Sequence, residues 1–423
     1  MTSTSASTPA GGSRVPSGLG DVYRDLHAHP ELAFAETRTA AIVAAWLTRC
    51  GYDVTTGVGG TGVVGVLPNG TGPTALLRAD MDGLPVSERT GLAYASTSSG
   101  LDETGAEVPV MHACGHDVHV TCLLGAAERL AAERATWAGT LLVVFQPAEE
   151  TAAGARAMLD DDLFARFGRP DVVLGQHVAP LPVGVIGLRS GPAFAATDSL
   201  RITMYGRGAH ASRPEASVDP VVMAAATVLR LQGVVAREVA GTQTVVLTVG
   251  ALRSGTTANV IPDDAELLIN VRTYDDDVRA RVLAAITRIV RAEAAASGAP
   301  REPEIEIFLT APAVVNDPGA VARTEVALAG VATVVDPGLV TGSEDVGLLA
   351  TAAGAPCVFW LLGGADPAEF AAATSFADLA ARAGDLPSNH SPLYAPVIEP
   401  TLTVGVAALV AAAREWLPPA TSS

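Results

Sequence analysis

From residue 19 to residue 191 the chain switches repeatedly between two hydrophobic periods. Thr37 to Cys50 carries apolar residues at helical spacing and closes on Gly51. Gly62 to Leu67 and Thr74 to Arg78 are short apolar or β-branched runs bounded by Gly and Pro, the pattern of strands. Val118 to Arg134 predicts a long alanine-rich helix, Gly139 to Phe145 a buried strand, Gly154 to Asp160 a short helix and Val172 to Gln176 a further strand. Alternation of this kind predicts an α/β fold with a mostly parallel sheet covered by helices.

From Pro192 to Leu309 the order of elements changes. Strand patterns at 198–205, 244–252, 265–273 and 304–309 are interleaved with helices at 219–239 and 275–296. That β-α-β-β-α-β order is the ferredoxin-like split unit, whose outer elements lie close enough for insertion into another domain. Beyond it, 321–328, 333–335, 357–362 and 400–416 return to the first pattern. The expected organisation is a leader over residues 1–18, a first domain from 19–191 and 310–418, and an inserted α+β domain over 192–309.

Composition narrows the class. A chain of 423 residues exceeds one compact core, and 49% hydrophobic with 4% aromatic residues describes a core of small aliphatics. The formal net charge of −18 argues against nucleic acid as a partner. The Ser/Thr/Gly/Pro-rich start has no apolar core of a signal peptide, and apolar stretches such as 401–413 fall short of a membrane span. The four cysteines form no C-x-x-C pair, so a reducing, cytoplasmic setting is expected.

Chemistry concentrates in Met111 to His119, which puts one thiol, three imidazoles and one carboxylate within nine residues of a chain holding 8 His and 4 Cys. Thiolate and neutral imidazole ligate zinc and its first-row neighbours, and a nearby carboxylate orients a ligating ring. Further ligand types follow strand-like runs: Asp80 and Asp82 after 75–78, Glu149 and Glu150 after 141–145, His177 after 172–174. In an open parallel sheet such points lie at the carboxyl ends of strands, where ligands gather. Adjacent Glu149 and Glu150 suit metal-assisted hydrolysis, one binding metal and the other moving a proton. Read alone, His210 is equally a turn histidine, Asn259 a turn asparagine before Pro262, and Arg272 a surface ion-pair partner.

Several motifs together resemble the amidohydrolase branch of the aminoacylase and glutamate-carboxypeptidase superfamily, peptidase family M20. They are Arg24 to Glu31, Leu77 to Pro85, His112 to Asp117, Phe145 to Glu150, Gly206 to Ser212, Thr257 to Pro262 and Gly342 to Asp345. The likeness covers about residues 19–416. It implies a zinc-peptidase-like catalytic domain with an inserted lid and dimerisation domain. It also implies two divalent ions per subunit (zinc, manganese, nickel or cobalt), held by Cys114, His116, Glu150, His177 and His390, with Cys114 bridging. Glu149 would be the general acid/base, and His210 would polarise the scissile carbonyl in the other subunit of a homodimer. Asn259 and Arg272 would contact substrate, Asp82 would stand behind the ligands, and Asp117 is expected to orient His116. Asp80 occupies a position where the wider superfamily has a ligand His, and it is not expected to bind metal. Arg213-Pro214-Glu215 departs from the Pro-His pair common there, which bears on substrate preference.

The activity implied is cleavage of N-acyl amino acids by metal-activated water, with an acyl pocket of Ala193, Phe194, Leu361 and Leu362. Two other readings stand beside it: Cys114 as a nucleophile with a histidine base, and a catalytically silent metal-binding or sensing protein of the same fold.

Overall fold

The computed structural model describes residues 18–420; apart from Gly18, the expected leader lies outside the described residues. Two helices, α1 (Leu19–Ala28) and α2 (Thr37–Arg49), precede the strands β1 (Asp53–Val58), β2 (Gly62–Asn69) and β3 (Thr74–Asp80). Then follow α3 (His116–Ala132), β4 (Gly139–Gln146), β5 (Val172–Pro182) and β6 (Val185–Gly187). Residues 196–311 supply β7 (Ala196–Tyr205), α4 (Pro220–Glu238), β8 (Val245–Arg253), β9 (Asp264–Thr273), α5 (Asp276–Ala296) and β10 (Glu304–Ala311). The chain returns through β11 (Thr333–Val335), β12 (Cys357–Ala365), α6 (Phe376–Asp385) and α7 (Ile398–Trp416).

The large sheet has the order β1-β2-β4-β3-β5-β12-β6-β11. Its centre, β4-β3-β5-β12, is parallel, with antiparallel pairing at β1-β2, β2-β4 and β12-β6. The central strands are buried on both faces, so their near-continuous apolar runs follow from coverage on both sides. Alternation sends Leu77 and Val143 to one core with α1, α2, α3 and α7, and Leu76 and Val144 to the other with Met158 and Leu349. β1 escapes the hydrophobic pattern because Asp53 to Val58 is an edge strand with a single buried residue.

Residues 196–311 form a separate antiparallel sheet, β8-β9-β7-β10, with its own core. β9 alternates buried and part-exposed residues, as a sheet covered on one face requires. Both of its helices start on an aspartate: Asp219 accepts from Val221 N (2.9 Å) and Asp275 from Val278 N (2.9 Å). Contrary to expectation, α4 is apolar enough by length and composition to cross a bilayer; here one face of it packs on the unit's core through Met223, Leu231 and Val234. This unit joins the large sheet through the antiparallel strands Gly191–Phe194 and Val314–Asn316. There Asn316, fully buried, clamps Phe359 through both its N–H and its carbonyl, at 2.8 Å each.

A buried ion network ties α1 to α3. His27 Nδ1 lies 2.6 Å from Asp117 and its Nε2 3.0 Å from Glu88. Burial lowers an imidazole pKa, but the hydrogen bonds to Asp117 and Glu88 outweigh it and lift His27 to about 10. A folded pKa above the unfolded one stabilises fully below about pH 6.5, and that contribution is lost as pH rises toward 10. The stability of the metal-free protein is therefore expected to fall between these limits, and the fall should be blunted in His27→Asn. Parallel denaturant titrations across that range test this, and identical slopes in the two proteins would refute it.

Candidate metal centre

The Cys114-Gly115-His116 hook turns on a left-handed glycine. Gly115 has φ +85°, and an added Cβ would lie 2.4 Å from Val178 Cγ1, so only glycine lets the hook sit against β5. His116 opens α3, and its Nδ1 lies 3.2 Å from Asp82 Oδ1. Its buried Nε2 has no hydrogen-bond partner among the described residues; it faces Asp80, Glu150 and Glu149 at 3.7, 3.8 and 3.9 Å. Cys114 Sγ is 3.5 Å from His177 Nε2, and His390 Nε2 is 3.4 Å from Glu150 Oε2. Glu150 Oε1 is likewise buried and unpartnered.

Two groups of three ligand atoms therefore converge, Cys114/His116/His177 and Cys114/Glu150/His390, and Cys114 is common to both. Glu149 joins His116 and Glu150 in a third group. Backbone strain accompanies the convergence: Ala148 (φ 49°) and His390 (φ 71°) are non-glycine residues in the left-handed region.

The peptide of Val178 sets the tautomers of two rings. Its carbonyl accepts from His177 Nδ1 (2.8 Å), which leaves His177 Nε2 as the basic nitrogen facing Cys114. Its N–H donates to His119 Nε2 (2.8 Å), so His119 Nδ1 carries the proton it shares with Asp80 at 2.5 Å. Asn389 Nδ2 also donates to the Val178 carbonyl (3.1 Å) and to Cys114 O (3.0 Å), pinning the residue before His390.

The electrostatics are lopsided. Asp80, Asp82, Glu149, Glu150, Glu344 and Asp345 crowd one buried region, and the guanidinium among them is Arg78, bonded to Asp80 (2.6 Å), Glu344 (2.7 Å) and Asp345 (3.0 Å). Burial, then the neighbouring Glu344 and Glu150, push Glu149 well above the ordinary carboxylate range. Burial lifts Glu150 to about 7 against the pull of His116. His116 rises to about 10 because Asp80, Asp82 and Glu150 overcome its desolvation. Asp80 moves down, since His116, His119 and Arg78 outweigh burial. Unneutralised carboxylates beside a thiol and unpartnered imidazole and carboxylate atoms fit divalent cations, which meet the same demand as the proton on His116.

Cys114, Glu149, Glu150, His177 and His390 line one cleft, with His116 buried beneath it. Asp82 stands behind, accepting also from Glu150 N (3.0 Å). Three expectations need correction. Asp117 does not orient His116, because its carboxylate is taken by His27 and by Val118 N (2.9 Å). Arg272, read alone as a surface ion-pair partner, lines the cleft and makes no ion pair among the described residues, held by Asn270 Oδ1 (2.9 Å), Ser343 Oγ (2.7 Å) and Thr341 O (3.2 Å). His177 lies inside β5, not past its end, because pairing with β12 continues through Leu361 opposite His177.

Of the expected acyl pocket, Phe194 and Leu361 line the cleft, while Ala193 and Leu362 are buried in the cores. His210 sits on a two-residue ladder opposite Val260, and Asn259 lies in the turn beside it, its carbonyl accepting from Ala211 N (3.1 Å); both are exposed and outside the cleft of their own chain. Ser212 N donates to His210 Nδ1 (3.1 Å), so a neutral ring presents Nε2–H outward. Sequence reasoning passed over Arg78, Glu344, Asp345 and Asn389 as working parts of the site. An arginine inside an apolar strand was the available signal, since a buried guanidinium requires carboxylate partners.

The chain is similar to known proteins in sequence and in fold. Residues 76–383 match the family described as peptidase family M20/M25/M40. An N-acetylcysteine deacetylase of Bacillus subtilis is 38% identical over 71% of this chain and 76% of its own length. A hippurate hydrolase of Campylobacter jejuni is 39% identical over 71% and 75%. The solved structure of a dinuclear metal-binding peptidase of the M20 family from Bacillus subtilis superposes with a TM-score of 0.72 at 30% identity, covering 93% of this chain and 97% of that one. With its ligand groups meeting in one cleft, the chain belongs to peptidase family M20, a family of metal-dependent hydrolases acting on amide bonds.

Proposed function

We propose that this protein is a binuclear amidohydrolase that removes the acyl group from N-acyl amino acids. The observation that carries it is the meeting of two ligand triads at Cys114 beside a further carboxyl group, Glu149, that belongs to neither. Cys114, His116 and His177 would hold one ion, and Cys114, Glu150 and His390 the other. Zinc, manganese, nickel or cobalt suits this mixed S/N/O set. Such ions supply Lewis-acid polarisation of the amide carbonyl and lower the pKa of water. Glu149 takes the proton from the attacking water and hands it to the leaving nitrogen, a role its upward-shifted pKa supports. Related deacetylases and a hippurate hydrolase point to acyl amino acids as the substrate class.

Arg272 is assigned to the substrate carboxylate. Its guanidinium is half-buried, oriented by three hydrogen bonds through Nε and Nη1, and without an ion pair among the described residues, which leaves Nη2 free to meet a carboxylate. His210 and Asn259 are assigned to the cleft of a second subunit in a homodimer. In support, both are exposed, they lie outside their own cleft, and His210 presents a donor suited to an oxyanion. Four unpaired cysteines favour a reducing, cytoplasmic setting.

The Cys114-nucleophile reading finds little support. Burial and the neighbouring Glu150 and Glu149 push the thiol well up, and burial with His119 pushes the adjacent His177 well down. The pair stays neutral instead of forming thiolate and imidazolium.

Hydrolysis of N-acyl amino acids should vanish on chelation and return with two equivalents of Zn²⁺ or Mn²⁺ per chain. Glu149→Gln should lose about 10²–10⁴-fold in kcat while keeping its metal content by mass spectrometry. Activity surviving chelation would revive the thiol reading, and full metal loading without turnover on any acyl amino acid would favour a silent metal-binding protein. For Arg272→Ala, KM should rise roughly 10- to 100-fold with kcat little changed, the scale of a hydrogen bond to a charged group. An unchanged KM would remove Arg272 from substrate binding. Subunit exchange between Glu149→Gln and His210→Ala, each inactive alone, should restore part of the activity; no recovery in verified mixed dimers would refute delivery of His210 across the dimer.

A further inference from the structure

The helix α6 packs beside β5 and forms part of the cleft. None of residues 377–385 is buried, yet Ala380 and Ala383 line the cleft together with Leu181, Phe194 and Leu361. Its polar contacts return to its own approach. Ser375 Oγ caps Asp378 N (3.1 Å), Asp378 accepts from Thr374 N and Oγ1 (2.9 Å each), and Arg382 bonds the carbonyl of Glu369 (3.1 Å) and its carboxylate. The segment is fixed at both ends. It leaves β12 at Ala365, and it ends at Asn389, which is tied to Cys114 and Val178.

With none of residues 377–385 fully buried, this stretch gains little from the hydrophobic effect, and whatever covers its cleft side adds to its hold. The two residues it offers to the cleft are alanines, which leave room where larger side chains would fill it. We propose that α6 is the wall that selects the acyl group, with Ala380 and Ala383 setting the admissible size, and that bulky apolar acyl groups are preferred over acetyl. Such a group is covered on one side by Leu181, Phe194 and Leu361 and on the other by the helix, which it stabilises in turn. This inference rests on the amidohydrolase reading above.

The test compares N-benzoyl and N-acetyl derivatives of one amino acid on metal-loaded wild type, Ala380→Trp, Ala383→Trp and the exposed control Ala381→Trp. The readouts are kcat/KM and, in a Glu149→Gln background, calorimetric Kd for the same compounds. The benzoyl-to-acetyl ratio should fall by roughly tenfold or more in both cleft variants and hold in the control, with unfolding midpoints unchanged. If a tryptophan variant fails to fold, Ala380→Leu and Ala383→Leu give the same ratio with a smaller insertion. A ratio that does not move, or one that moves equally in the control, overturns the role of the helix and leaves the amidohydrolase reading intact. A wild type that neither binds nor hydrolyses either compound overturns both.

Discussion

The Arg78 guanidinium is the interaction on which the centre depends. Three carboxylates, Asp80, Glu344 and Asp345, converge on it from β3 and from the turn that opens the helix Val346–Ala353, where none has access to water. Leaving one such charge buried and unpaired costs several kcal/mol, about 3–5 by analogy with broken buried pairs. With Arg78 in place, the sheet can bring still more negative charge, Glu149 and Glu150, to the same spot. The excess beyond one guanidinium is what a pair of divalent ions can satisfy.

Precision comes from the backbone. The Val178 peptide reads His177 with its carbonyl and His119 with its N–H, and a register slip in β5 would misplace both rings. Gly115 lets the hook close against the same residue. Sheet register, ring tautomer and hook geometry therefore meet at one position. A rigid strand is better suited to this than a loop, because its neighbours on both sides fix it.

The parts legible in the sequence were those written locally. Cys114 and His116 share a hook, Glu149 and Glu150 are adjacent, and apolar runs marked the central strands. What escaped depended on partners far apart in the chain. Asp117 lies beside His116 in sequence, yet it is held by His27, ninety residues away. Arg78 looked like the end of a strand, but its meaning depends on residues near 344. His177 was expected past a strand end, because a hydrophobic run stops at Gln176 while hydrogen bonding to β12 does not. The edge strand β1 left no hydrophobic signature, since it buries no continuous face.

Asn389 joins two things that are usually separate. The same short stretch carries His390 at one end and the cleft wall α6 at the other, and its amide is fastened to Cys114 and Val178. If the centre is loaded as proposed, holding His390 also holds the end of the segment that carries the wall. By reciprocity, a substrate that favours the same position of the wall would then tighten the hold on the ions by the factor with which the ions tighten its own. The affinity of this cleft for metal would then depend on the company it keeps.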